Sequence, residues 1–276
     1  QIYLAFAADG STATPSLANS FATETYAGNA GTQSVTTGFK PDFSWIKARN
    51  FAYNHALVDS VRGRNSTLIS DLNIPANVGS SVGYDLVSFD TNGITVGPVQ
   101  QSYINPNYNM VSWNWKAGVT PSINTDGTIT SLVSANQAAG FSVVKYTGDG
   151  NASTVGHGLD IAPEMYIVKS LSTGNWWTYH SGLNGGVNPS HYFIRLDLSN
   201  AESFNASSGG SIFNSTEPTS TVFSGGTSIN TSNDFIAYCF TSISGYSKVG
   251  SYTGNGTSGH SIATGFAPGF VIIKMT

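Results

Sequence analysis

Charge is what this sequence has least of. Only 9% of its 276 residues are Asp, Glu, Lys or Arg, against about a quarter in ordinary soluble chains. Ser, Thr, Asn and Gly must therefore keep the surface polar. That suits rigid, exposed β structure and not a cytosolic helical enzyme. With 11 basic residues and a net charge of −4, there is no basic stripe to neutralise phosphates, and nucleic acid is not an expected partner. Apolar runs such as Phe270 to Ile273 are strand length. They fall far short of the roughly 20 residues that cross a bilayer as a helix, so membrane insertion is not expected. The single cysteine, Cys239, excludes an intrachain disulfide. Within "DFIAYCF" it reads as a small buried hydrophobe. The chain opens on Gln1-Ile2-Tyr3-Leu4, without Met and without the basic head of a signal peptide. Residue 1 is therefore not expected to be the start of translation. No window of a dozen residues carries a capped helical stripe.

What the sequence does have is a long repeat. "YAGNAGTQSVTTGFKPDFSWIK" begins at Tyr26, and matching segments begin at Tyr146 and Tyr252. In each, Tyr is followed by a small residue, Gly, and Asn or Asp. Another Gly (Gly38, Gly158, Gly265) comes 12, 12 and 13 residues after the Tyr. Then come Pro41, Pro163 or Pro268, and a Lys six residues later (Lys47, Lys169, Lys274). The far ends repeat too. "NMVSWNWKAG" aligns with "DFIAYCFTSISG", pairing Trp113 with Tyr238 and Trp115 with Phe240, and "QIYLAFAADG" aligns with both.

Short runs rich in aromatic and β-branched residues, introduced by Gly and Pro, read as strands. "YDLVSFDTNGITVG" reads as a hairpin turning on Asn92-Gly93. The expected fold is all-β: tandem antiparallel β-sandwich, jelly-roll-like modules, with partial modules at both ends. Residues 1–19 are expected to be the closing strand of a preceding or permuted module. Residues 20–118 form the first module, 119–139 a small, polar linker, 140–250 the second module, and 251–276 the opening strands of a further one. The spacing suits a tandem of independent domains.

The recurring Gly residues read as turn formers and the recurring Lys as solvated charges guarding strand edges. His55, Asp59 and Arg62 lie close together in "HALVDSVRG", which invites a catalytic reading. In the second unit, however, His180 stands opposite Asp59 and no Arg appears. No nucleophile, base and orienter can be placed together, so no catalytic residue, cofactor or metal site is assigned. Asp126 and Asp149 sit in "TDGT" and "GDGN" turns that lack the glutamate of a calcium loop. Trp176-Trp177 is the most notable aromatic pair. Neighbours on a strand face opposite sides, so one ring should be buried and the other exposed or at an interface. These two are the candidate ligand-binding residues, for sugars or partner proteins, with a domain-domain contact as the alternative. Six Asn-x-Ser/Thr sites, among them Asn205 and Asn230, arise easily in such a composition.

"TGFKPDFSWIK", "HALVDSVRG", "LVSFDTNGITVG" and "MVSWNWKAG" resemble one module. "GFSVVKYTGDGNASTVGHGLDIAPEMYIVK", "NSTEPTSTVFSGG", "FIAYCF", "GYSKVGSYTGNG" and "TGFAPGFVIIK" resemble the next modules in order. Together they are similar to the tandem domains of unknown function in virion structural proteins of marine tailed phages, often called tail-fibre or tail-associated proteins. The resemblance spans nearly all of the chain and brings no residue roles with it. It implies a non-enzymatic virion component located in the virion or outside the cell. Such a component would assemble with copies of itself and other virion proteins in a tail fibre, appendage or capsid-surface decoration, with host-surface glycans as further partners. The alternatives are an extracellular carbohydrate-binding or adhesive module and a self-assembling extracellular filament subunit in which "IYLAFA" completes a neighbour's sheet.

Overall fold

In the computed structural model, residues 1–8, 19–78, 86–98, 103–118, 120–205 and 210–276 are described. The chain opens with β1 (Ile2–Ala7). The first module then runs through β2 (Phe21–Ala27), β3 (Gln33–Thr36), β4 (Phe43–Ala48), β5 (Ala56–Asp59), β6 (Ser66–Ile69), β7 (Asn77–Val78), β8 (Leu86–Asp90), β9 (Gly93–Val96) and β10 (Asn109–Trp115). Its main sheet has the order β2-β10-β4-β5-β6-β7, and β3-β9-β8 form a second sheet. Ile46, Val58 and Ile69 on the first sheet bury against Val35, Ile94 and Val96 on the second. The fold is all-β, built from antiparallel sheets that pack as sandwiches, and no α-helix occurs among the described residues.

The second module contains β11 (Ser122–Asn124), β12 (Ser131–Asn136), β13 (Phe141–Thr147), β14 (Ser153–Gly156), β15 (Met165–Ser170), β16 (Trp176–His180), β17 (Tyr192–Arg195), β18 (Ser203–Phe204), β19 (Val222–Gly225) and β20 (Asp234–Phe240). Its main sheet has the order β11-β12-β13-β20-β15-β16-β17-β18, with β14-β19 covering one face. The stretch expected as a linker, 119–139, is thus corrected. β11 and β12 extend this sheet, and β12 pairs with β13 from Ser131↔Tyr146 to Asn136↔Phe141. Small polar residues do not mark a linker here, because their hydrogen bonds are made inside the fold. Buried Ser131, for example, donates its hydroxyl to Gly156 O at 2.9 Å.

The last strands, β21 (Ser247–Ser251) and β22 (Pro268–Lys274), flank β1 in a three-stranded sheet, β21-β1-β22. The same order, first strand, closing strand, Pro-introduced strand, holds in β2-β10-β4 and β13-β20-β15. The two partial modules therefore join into one sheet, with the N-terminal strand in the central position.

Equivalent residues of the three closing strands point to one centre. Trp115 pairs with Phe21 and Phe43, Phe240 with Phe141 and Met165, and Phe6 with Ser247 and Phe270. Phe6 meets Phe21, Trp115, Phe240, Tyr246 and Phe270 at ring-centroid distances of 5.0 to 6.3 Å. Residues of all three modules form one buried cluster. The expected independence of the modules gives way to a closed, pseudo-three-fold arrangement, because the inner face of each sheet is aromatic and needs the other two to exclude water.

The third sheet differs on its outer face. Val271 and Ile273 are 44% and 57% exposed, while their equivalents Tyr166 and Val168 are fully buried under the second module's covering strands. The hairpin signal also needs refining. Asp90 pairs with Gly93, so the two-residue turn is Thr91-Asn92, one position earlier than expected. Gly93 is required for a different reason: a Cβ there would lie 2.1 Å from Val35 O on the neighbouring strand.

Candidate functional site

Most chemistry-bearing side chains are held at the junctions between modules. Asp59 ends β5 opposite Phe43, and His180 ends β16 opposite Met165. These positions are equivalent, and each reaches into the next module. Asp59 Oδ2 accepts from Arg62 Nε at 2.5 Å and from the Tyr238 hydroxyl of β20 at 2.8 Å. Arg62 Nη2 donates to that hydroxyl at 3.1 Å and to Leu57 O at 3.2 Å. Asp59 and the Arg62 side chain are sealed from solvent. His180 Nδ1 accepts from Gly182 N at 2.9 Å, which fixes the neutral tautomer whose Nε2–H donates to Tyr3 O of β1 at 3.2 Å. Burial pulls the His180 pKa down to about 4. His55 takes no part in the Asp59–Arg62 pair. Its Nδ1 accepts from Trp45 Nε1 at 2.9 Å.

Lys169, expected as a solvated edge charge, is instead fully buried. Its Nζ donates to Ser170 O at 2.7 Å and lies 5.9 Å from the Trp176 ring. Burial lowers its pKa to about 8, with Asp197 opposing. β15 is an interior strand between β20 and β16, so it has no solvent edge where a charge could sit. Cys239 is buried, and burial pushes its thiol up to about 12. Two of the six Asn-x-Ser/Thr sites, Asn205 and Asn230, have buried asparagines. Among the described residues, no three His, Cys, Asp or Glu side chains cluster at metal-binding range.

The Trp pair divides in two. Trp176 is fully buried, and its Nε1 donates to Ile69 O at 3.1 Å and Leu72 O at 2.9 Å in the first module. It therefore acts at a module contact. Trp177 faces the other way and is half-buried. The Arg195 guanidinium sits 4.9 Å from its ring centroid, and Phe193 meets it edge-on at 5.0 Å. This combination, a partly open indole with a guanidinium over its ring, can stack on a flat apolar face and donate hydrogen bonds beside it.

A second aromatic surface escaped the sequence reading. Phe51, 47% exposed, stacks on Tyr108 with centroids 4.3 Å apart. Tyr53 meets both rings and Tyr103 at 4.8 to 5.6 Å. Asn50 Oδ1 accepts from Asn109 N at 2.9 Å and ties the two loops together. The available signal was the recurrence of Asn beside aromatics in "NFAYNH" and "YINPNYN", which has no strand period. A polar groove of about 390 Å³ lies between β11 and β12 and the turn at Gly158. Its walls carry Asn124 paired with Asp126 at 2.7 Å and Gln137 paired with Asp160 at 2.6 Å.

Among known proteins, a family model described as a domain of unknown function (DUF7483) matches residues 16–276. No curated protein and no solved structure matches the chain.

Proposed function

The chain belongs to the DUF7483 family, and on that premise we propose that it is a non-enzymatic structural protein of a phage virion. It serves in a tail fibre, appendage or capsid-surface decoration, and it works through self-assembly and attachment to surfaces. One observation carries the reading. The titratable groups that a catalyst would use, Asp59, Arg62, Lys169 and His180, are buried at or beside module junctions. Apolar and aromatic side chains stand outward among the polar ones: Phe51, Val271, Ile273 and the half-open Trp177. Groups used in this way stabilise architecture, and the exposed rings offer many weak contacts that add through avidity. The virion location rests on the resemblance of the repeated segments to tail-associated proteins. Antibody labelling of purified particles under the electron microscope tests it. Label on tails, fibres or capsid surfaces is expected, and particles that never carry it would sink the proposal.

The Trp177–Arg195–Phe193 surface favours a second reading, an extracellular carbohydrate-binding or adhesive module. Here Trp177→Ala is the discriminating variant, since Trp176 is needed for the fold. A glycan array should show binding that falls at least about tenfold in Trp177→Ala, in line with about 1–2 kcal/mol for a stacked ring. Binding that survives the substitution removes Trp177 from the role.

A further inference from the structure

β21 and β22 do not pair with each other. Among the described residues, the one named strand beside each of them is β1. The slot between them is therefore a gap one strand wide, and the third sheet exists only when a guest strand fills it. β1 fills it completely. Ile2 to Phe6 align with Ser251 to Ser247 on one side, and Ile2 to Phe6 with Lys274 to Phe270 on the other. Every residue of β1 is buried. In the other two modules the closing strand follows within its own module, as β10 after β4 and β20 after β15. Only the third slot takes its strand from the far end of the chain.

We propose that this slot is a strand-receiving site and that its partner is the β1 strand of a second copy of this chain. Recognition is of an extended Ile-x-Leu-x-Phe segment. Main-chain groups pair on both edges, Leu4 and Phe6 enter the shared core, and the Tyr3 carbonyl accepts from His180. A β1 from a neighbour makes all of these contacts unchanged, which is the condition for low-cost strand exchange. The thirteen residues 8–20 that join β1 to β2 can reach at most about 40 Å. The slot is also the least covered of the three, because Val271 and Ile273 stand open on β22 and the outer edge of β22 has no neighbouring strand among the described residues. The inference rests on the assembly reading above, and it needs no virion to be tested.

Tyr3 and Ile273 are register partners, so cysteines at these two positions report on seating. Tyr3→Cys and Ile273→Cys are placed in separate full chains carrying different tags, mixed at high concentration and oxidised. Mass spectrometry then distinguishes cross-links between the two tags from those within either one. A disulfide joining position 3 of one tag to position 273 of the other is the expected product, and its yield should rise with protein concentration and fall when a peptide of residues 1–8 is added in excess. The double variant Tyr3→Cys/Ile273→Cys serves as the control. If it closes only within its own chain while the mixture gives no mixed cross-link, the strand stays at home and the proposal is overturned. If neither preparation cross-links, the slot is not a β1 site at all. Either result leaves the particle-labelling test of the virion reading untouched.

Discussion

Replacing Arg62 by Met should cost this protein far more than deleting the whole ion pair it belongs to. At an effective dielectric near 20, opposite charges about 4 Å apart attract by about 4 kcal/mol. Taking both out of water costs a similar amount, so the intact pair contributes little net stability. Arg62→Met removes one side only. Asp59 keeps the Tyr238 hydroxyl and the Arg62 main-chain N–H but is left as a buried charge without a counter-ion, a loss of about 3–5 kcal/mol. For a chain of this size that corresponds to a fall in Tm of roughly 10 °C. The triple variant Asp59→Leu/Arg62→Met/Tyr238→Phe removes the charges and the hydroxyl between them, and it should recover to within about 2 kcal/mol of the parent. Thermal and urea unfolding at pH 7, followed by circular dichroism, measure both. An Arg62→Met chain as stable as the parent, or a triple variant no better than the single one, would refute the reasoning.

Acid should loosen the module junctions. His180 has its pKa lowered to about 4 by burial, and burial lowers those of His55 and His157 as well. The unfolded chain therefore takes up protons first, and stability is full above about pH 6.5 and declines as pH falls towards 4. His180 alone accounts for about 3 kcal/mol of that decline, and His180→Gln should flatten the curve of Tm against pH over this window; an unchanged slope contradicts the account. Lys169→Met should raise Tm at pH 7, because the lysine is charged there in a buried site. The gain should shrink between about pH 8, where the folded lysine loses its proton, and about pH 10.5, where the unfolded one does. A variant less stable than the parent at pH 7 would show that the bond to Ser170 O outweighs the cost of the charge. Gly93→Ala should destabilise the first module by about 2–3 kcal/mol, since its Cβ would collide with Val35 O; heteronuclear NMR should place the perturbation at β3 and β9, and an unperturbed spectrum would contradict it.

The repeat at Tyr26, Tyr146 and Tyr252, with its Pro and Lys, was legible because turns and strands leave local marks. Gly, Pro and Asn mark turns, and aromatic and β-branched runs mark strands. The all-β class and the equivalence of "IYLAFA", "NMVSWNW" and "DFIAYCF" followed from that. The opposite facing of Trp176 and Trp177 followed from strand geometry alone, but which ring is buried did not. Trp176 is inside because Ile69 and Leu72 of another module offer carbonyls to its N–H, a long-range contact with no local signature. The same holds for Phe51, Tyr53, Tyr103 and Tyr108, which come from two loops about 50 residues apart in sequence and form one surface only in the fold.

Sequence by itself determined that this protein is all-β and built on a repeat, with a closing strand at one end and opening strands at the other. Tertiary structure alone decided that the chain closes on itself. Side-chain periodicity dictates which face of a strand is apolar, but not which neighbour lies beside it. It could not say that β1 would enter the gap between β21 and β22, that residues 119–139 would extend a sheet, or that Lys169 would lose its solvent. Each depends on the aromatic centre around Phe6, Trp115 and Phe240, where three sheets must meet at once to exclude water. No segment of the chain carries that requirement alone.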